Sequence, residues 1–402
     1  MTTDLPNAVK RLTVSVDGQN AGLLSQGASY SFLYEQDVLA VSLSMAPQTD
    51  VYNSGAMFPV FSQNLPEGYI RRYISEKLRR YAKVNDMYLL SLQGQDGIGL
   101  LSYDAGFDLP VLERVSVDDV VHWQEPEALF PQLLERFYLR GMLSGVQPKV
   151  LISQMTDQRS TVPQKDIIVK TGDAEFHDLA VNEYVCMESA RYCGLEPAKC
   201  YLSDNREVFV IERFDRTTDE QYGMEDFATL MGRSGEEKYN SSYEMVMKVV
   251  KTYIGRQEEV EKVFRYIVHS CLVGNGDAHL KNFAIQYDRT MQNLWVSPPY
   301  DITHTLIYPT IDNQMALKLR KSKEFPARRE LVRLGDEYQI ARPGQIVDEL
   351  SDLLVDFLHD FEEVRLMDGL QESIRGAVSR VHSREDSVKG FRHSKNRRSL
   401  KH

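Results

Sequence analysis

Apolar residues alternate with polar ones early in the chain and recur at helical spacing late in it. Leu12-Thr-Val-Ser-Val predicts a strand, Asp17-Gly18 a turn and Gly22-Leu23-Leu24 the returning strand. Tyr30–Tyr34 and Leu39–Leu43 predict further strands. Asn64-Leu-Pro-Glu-Gly precedes Tyr69, Ile70, Tyr73, Ile74 and Leu78, which share one helix face opposite a basic one. Glycines between Gly94 and Gly99 precede Leu100–Tyr103; the stretch lacks the Lys and following helix of a P-loop and reads as a turn.

Residues 108–126 form a polar, Pro-flanked connector, and 128–140 a short helix. A small-residue loop, Gly141–Gln147, feeds a strand over 149–153, and a second strand over 166–171 carries Lys170. The next helix spans 177–193, with Leu179, Ala180, Tyr184, Met187 and Ala190 as its buried stripe and Gly194 as its stop. Residues 207–212 form one more strand. Beyond Tyr239 the spacing is helical: Tyr243, Met247, Val250 and Tyr253, then Val263, Tyr266, Ile267 and Leu272. Residues 303–326 are loop-rich, and 345–381 form long amphipathic helices with Ile346, Leu350, Leu353, Leu354, Phe357 and Phe361 inward. The pattern predicts an α+β chain divided at 1–108, 109–222, 223–380 and a tail at 381–402.

A chain of 402 residues buries more than one core. No apolar run approaches the ~20 residues that span a bilayer, and the N-terminus lacks a basic segment followed by an apolar one, so a cytoplasmic protein with no membrane association is expected. Cys186, Cys193, Cys200 and Cys271 form no C-x-x-C pair and read as buried free thiols. The net charge of −11 excludes a protein that coats nucleic acid over its whole surface. From Arg380 onward, eight basic residues against two acidic ones give a local +6 and leave −17 for the remainder. Such a tail suits DNA phosphates, an acidic partner or plain solvation.

The chemistry converges on Asn275-Gly-Asp-Ala-His-Leu-Lys-Asn282, at the end of an apolar helix and the start of the strand-like 283–287. Asp277 and Asn282 have the Asp-x-x-x-x-Asn spacing of a phosphotransferase loop, in which the Asp orients the attacking hydroxyl and the Asn helps hold Mg²⁺. A hairpin over 283–297 returns the chain to Asp301, and because an antiparallel hairpin brings its open ends together, Asn282 and Asp301 can grip one metal ion. The competing reading makes Asp277 a turn residue, Asn282 a cap and Asp301 a loop acid. Lys170, on a strand after a small-residue loop, suits nucleotide phosphates, and Glu183 on the following helix is its natural partner or an ordinary surface glutamate. Lys318, Arg320, Lys321 and Lys323 form a basic cluster suited to phosphate or an acidic substrate, or simply to a solvated face.

With these residues assembled, the chain closely resembles the HipA family of bacterial toxin-antitoxin serine/threonine kinases. The resemblance runs through Phe61-Ser-Gln-Asn-Leu-Pro-Glu-Gly, Leu143-Ser-Gly-Val-Gln-Pro-Lys, Ile211-Glu-Arg-Phe-Asp-Arg, the Asn275–Asn282 block and Tyr300-Asp301. It implies a two-lobed, protein-kinase-like fold with an extra N-terminal α/β subdomain and an all-helical large lobe. It implies ATP and Mg²⁺ as cofactors, with Asp277 catalytic, Asn282 and Asp301 as metal ligands and Lys170 on phosphate. Nucleotide contacts would come from Ser144, Gly145, Val146, Gln147, Pro148 and Lys149, from Glu212, Arg213, Phe214 and Asp215 at the linker, and from His279, Lys281 and Tyr300. Ser144 occupies the family's inhibitory autophosphorylation position, where added negative charge would repel ATP phosphates.

The resemblance also implies a translation factor, such as an aminoacyl-tRNA synthetase, as substrate, and a helix-turn-helix antitoxin of HipB type that holds the pair on operator DNA. Two departures bear on substrate choice: Thr229 stands where a glutamine is common after Glu-Asp-Phe-Ala, and Leu317-Lys-Leu-Arg-Lys replaces a Ser-Ile-Asn-Gly-Lys stretch. The rival functions are a small-molecule phosphotransferase and a non-catalytic DNA-bound co-repressor.

Overall fold

The computed structural model describes residues 6–109, 115–123, 132–133, 160–163, 167–172, 176–217 and 219–382. Contacts divide the chain into two units that alternate along the sequence. The first holds 1–180, 198–237 and 284–297; the second holds 181–197, 238–283 and 298–402.

All the strands among the described residues lie in the first unit. β1 (Arg11–Val16), β2 (Gln19–Gln26), β3 (Tyr30–Tyr34), β4 (Tyr52–Ser54) and β5 (Leu101–Asp104) form one sheet in the order β4-β3-β2-β1-β5. Leu12, Val14 and Val16 alternate inward, as their spacing predicts, and Asp17 and Gly18 both take positive φ, the requirement of a two-residue hairpin turn. The expected strand over Leu39–Leu43 does not form. Its polar groups are met by side chains instead of a ladder: Val41 N donates to Tyr34 Oη at 2.9 Å, and Leu43 N to Glu225 at 2.7 Å. β4 takes the edge of β3. Helices Gly68–Leu78 and Asp86–Gln93 bury Ile70, Tyr73, Ile74, Leu78 and the apolar residues of 87–92 in the same core.

The second sheet, in the order β6-β7-β9-β8, comprises β6 (Ser160–Pro163), β7 (Ile167–Thr171), β8 (Cys200–Leu202) and β9 (Val208–Glu212). The third comprises β10 (Gly223–Asp226), β11 (Ala284–Tyr287) and β12 (Leu294–Val296), with β11 and β12 forming the hairpin that follows the Asn275–Asn282 block. The expected helix over 128–140, the strand over 149–153, the Ser144–Lys149 loop and the tail beyond 382 lie outside the described residues.

The second unit is helical. Tyr243–Tyr253 and Gln257–Val273 bury the stripes anticipated for them, except that Tyr253 is half-buried, and Arg328–Glu337, Pro343–Asp360 and 370–382 complete it. Arg328–Glu337 escaped the spacing reading because it buries only Leu331, Leu334 and Gly335 under a mostly charged sequence. Leu353 and Phe361, expected inward, are half-buried. All four cysteines are free and buried, and burial pushes the Cys193 and Cys271 thiols up to about 12. Among the described residues no helix is long and apolar enough to cross a membrane.

Candidate active site

The helix Gln257–Val273 ends at Gly274, whose φ of 77° is the left-handed conformation that closes a helix. The chain then tightens into a series of local hydrogen bonds. Asn275 N reaches back to Ser270 O at 2.8 Å, Asp277 N donates to Asn275 Oδ1 at 3.0 Å, and His279 N donates to Asp277 O at 2.8 Å. A turn of 3₁₀ helix, Leu280–Asn282, follows; Asn282 Oδ1 accepts from His279 N at 2.8 Å.

Gly276 is required by its neighbours. A Cβ there would lie 2.5 Å from Thr305 Oγ1 and 2.6 Å from the Gln314 carbonyl oxygen. Gly276 N donates to Thr305 Oγ1 at 2.8 Å, and Thr305 N donates to Gly274 O at 3.1 Å. The segment after Asp301 is therefore stitched to the loop that carries Asp277.

Asp301 itself has a φ of 59°, rare for a residue with a side chain, and Asn282 Nδ2 donates to its Oδ2. The hairpin expectation is met: Ile285 pairs with Val296 and Tyr287 with Leu294, with Asn282 just before the strands and Asp301 just after them. Tyr300 Oη donates to Lys281 O at 2.6 Å, and Tyr266 Oη donates to Tyr300 O at 2.7 Å. Tyr239 Oη donates to Asp277 Oδ1 at 3.3 Å, and its ring meets His279 edge-on at 5.1 Å between centroids. Tyr243 Oη donates to Ala278 O at 3.2 Å. Burial, with the Asp301 charge adding to it, raises the Tyr266 phenol well above its ordinary range; burial does the same for Tyr243. Both phenols are therefore neutral donors at every working pH.

Asn282 is buried and hydrogen-bonded to Asp301, and Asp301 and Asp277 are both half-buried, so each carboxylate keeps part of its surface open. An amide oxygen and one carboxylate suit Mg²⁺, which takes one or two protein oxygens and fills its octahedron with phosphate and water. Among the described residues no three His, Cys, Asp or Glu side chains converge, as a caged metal site would need. The donor set fits a cation brought in with a nucleotide.

Lys170 lies in the first unit, on β7, its Nζ 5.8 Å from the centroid of the Phe209 ring on β9. Glu183 lies in the second unit and is buried, not on the surface. Arg213 and Asp215 are buried within the first unit. Arg213 pairs with Asp215 at 2.5 Å and donates to the carbonyls of Asp96 at 3.1 Å and Gly97 at 2.8 Å; Gly99 N donates to Asp215 at 2.8 Å. Burial works to raise the Asp215 carboxyl, but the Arg213 and Arg216 guanidiniums overcome it and leave it below its usual range. These two side chains clamp the glycine-rich Asp96–Gly99 turn. Phe214 O accepts from Gln286 Nε2 at 2.7 Å, and Glu212 accepts from Tyr201 Oη at 2.7 Å. Ser144, Gly145, Val146, Gln147, Pro148 and Lys149 are outside the described residues.

Sequence spacing misses Tyr239, whose contact with Asp277 bridges 38 positions. It also misses Glu225, wholly buried in the first unit, which accepts from Ser42 Oγ at 2.6 Å and Tyr287 Oη at 3.0 Å. Burial raises the Glu225 carboxyl although these donors oppose it.

Residues 12–104 match the HipA N-terminal domain and residues 141–357 the HipA-like C-terminal domain. "Putative kinase Y4dM" of Sinorhizobium fredii is 28% identical over 310 residues, covering 70% of this chain and 71% of that one. "Putative kinase Y4mE" of the same organism is 28% identical over 347 residues, covering 78% and 81%. The HipA structure of Shewanella oneidensis MR-1, solved with HipB and operator DNA, superposes with a TM-score of 0.67 at 15% identity, covering 92% of this chain and 97% of that one.

Proposed function

The chain belongs to the HipA family, and from that premise we propose that it is an ATP- and Mg²⁺-dependent protein serine/threonine kinase, the toxin of a toxin-antitoxin pair. The observation that carries the reading is the hydrogen bond between Asn282 and Asp301 at the end of the short, tightly bonded loop that bears the half-buried Asp277. Asp277, steadied by Tyr239, accepts and orients the substrate hydroxyl. Asn282 and Asp301 hold the cation against the phosphates. Lys170 supplies a further positive charge for them. The nucleotide, when bound with Mg²⁺, supplies the transferable phosphoryl group. Little covalent chemistry is left for the protein, so positioning and charge neutralisation account for its catalysis.

The substrate class in this reading is a translation factor such as an aminoacyl-tRNA synthetase. Ser144 is the self-limiting site: its phosphorylation places about two negative charges in the loop that must approach ATP. A helix-turn-helix antitoxin of HipB type, and through it operator DNA, completes the partner set; the Shewanella protein seen with both supports this extension. The test is transfer of label from the γ-phosphate of ATP to a serine or threonine of purified translation factors, alongside an Asp301→Asn variant. Label with the wild type alone supports the reading; equal label with both, or none with either, contradicts it.

A further inference from the structure

The segment between Asp301 and the helix Arg328–Glu337 ends in a small hairpin. Met315 N donates to Lys323 O at 2.7 Å, and Leu319 and Ser322 exchange backbone hydrogen bonds of 2.8 and 3.0 Å across a two-residue tip. The tip residues are Arg320 and Lys321, with φ of 49° and 72°. A hairpin tip with both φ values positive is the place for Asn-Gly, because side chains with a Cβ resist that conformation. Here the chain accepts that cost and keeps two cations instead, the kind of local outlier that points to function.

The cations are presented on a fixed base. Leu317 and Leu319 are buried while Lys318, Arg320 and Lys321 are exposed, the alternation of a strand lying on a core. Lys318 N donates to Ser241 O at 3.2 Å and Tyr243 N to Lys318 O at 2.9 Å, and Glu244 accepts from Arg320 N at 2.8 Å. Arg320 is 3.3 Å from Glu337. Among the described residues Lys318, Lys321 and Lys323 pair with no carboxylate.

The base of this hairpin adjoins the proposed catalytic loop on two sides. The Gln314 carbonyl, one residue before Met315, lies against Gly276, next to Asp277. Tyr239, two residues before Ser241, bonds Asp277 itself. In a chain of net charge −11, a tip with lysines that, among the described residues, pair with no carboxylate is a local exception at this place.

From this we infer that the 317–323 hairpin is a substrate-docking element that selects an acidic polypeptide segment beside the hydroxyl presented to Asp277. The inference rests on the phosphotransfer reading of Asp277 and deepens it. A short acidic peptide fits better than nucleic acid. Glu244 accepts from Arg320 N and Glu337 pairs with Arg320, so a long phosphate backbone would meet carboxylates on that side of the tip, whereas a short peptide can keep to the lysines.

The test separates docking from catalysis. Fluorescein-labelled serine peptides flanked by Glu, Gln or Lys, and a short random duplex DNA, are titrated against the full chain by anisotropy at low and high salt. The probes also go to wild type and Arg320→Asn/Lys321→Gly, a variant that removes both charges and relieves the tip. The wild type is expected to bind the Glu peptide about tenfold more tightly than the Gln peptide, with salt weakening the preference. The variant is expected to lose that preference while its Tm stays equal or rises. Lys318→Glu is expected to invert the order toward the Lys peptide. Equal binding of all three peptides by the wild type, a preference retained by the variant, or tighter binding of the duplex than of the Glu peptide overturns the inference. Charge-selective binding with no phosphorylation of any peptide upholds the docking element and counts against the kinase reading alone.

Discussion

Asn282 donates its side-chain amide to Asp301, and this one hydrogen bond joins the end of the Asn275–Asn282 loop to the residue that follows the β11–β12 hairpin. The two residues stand 19 positions apart in the chain. Their union sets a loop amide against a loop acid, the pair proposed to hold the cation.

If the pair holds the cation, removing its amide weakens metal use before it weakens the fold. Asn282→Ala is expected to raise the Mg²⁺ concentration needed for half-maximal ATP binding by about 10–100-fold, a loss typical of damaged metal sites. Calorimetric titration of ATP at several Mg²⁺ concentrations checks it. An unchanged Mg²⁺ requirement would remove Asn282 from the site.

Gly276 tests the loop's packing. A Cβ 2.6 Å from a backbone carbonyl cannot be accommodated by rotating a side chain. Gly276→Ala is therefore expected to cost about 1–3 kcal/mol in urea unfolding, and to depress phosphotransfer because Asp277 is the next residue. Gly55, with open space around its Cβ position and no positive φ, serves as the control site for stability.

Arg213 separates structural from nucleotide-contacting residues. Arg213→Ala leaves Asp215 buried with Arg216 as its remaining cation and frees the Asp96 carbonyl, while the Gly97 carbonyl keeps only its bond from Arg216. The expected loss is about 3–5 kcal/mol of stability, measured by denaturant unfolding. The conservative Arg213→Lys is expected to lower the midpoint while leaving ATP affinity within about twofold in the surviving folded protein, the outcome of a residue occupied in a clamp.

Acid lability follows from two buried histidines in the second unit. Burial pushes His304 down to about 4 and His269 down to about 3. His304 is enclosed by Val273 O and Ser373 Oγ, each 2.6 Å away, and His269 meets Ser189 Oγ at 3.0 Å. Both folded values lie under the ordinary 6.5, so the unfolded chain takes up protons first as pH falls. The stability they contribute is complete above about pH 6.5 and is lost on the way down through the folded values. At pH 5 the loss is roughly 2 kcal/mol per histidine. Unfolding midpoints at pH 7 and pH 5 check it, with His269→Gln expected to flatten the slope.

The loop chemistry was legible because it is local. Asn282 stands just before a hairpin of ordinary length and Asp301 just after it, so spacing alone anticipates the contact between those two residues. Strand alternation at Leu12, Val14 and Val16 and the helical stripe from Val263 to Leu272 were legible for the same reason. Side-chain contacts across long separations were not. Arg213 and Asp215 sit in a motif that suggests a linker, yet their partners are more than a hundred residues away, in the Asp96–Gly99 turn. Leu39–Leu43 has the composition of a strand, and only Tyr34 and a buried Glu225 explain why it is none. Tyr239 offers no periodic signal at all.

The most direct measurement is intact-mass analysis with tandem mapping after incubation of the purified protein with Mg²⁺ and ATP, beside Asp277→Gln. Asp277→Gln removes the carboxylate proposed to orient the hydroxyl, and loss of such a group lowers the rate by about 10²–10⁴-fold. The account predicts one added phosphate, on Ser144, in the wild type and none in the variant. Equal phosphorylation of both proteins, or no phosphate on either together with no measurable binding of ATP, would contradict it.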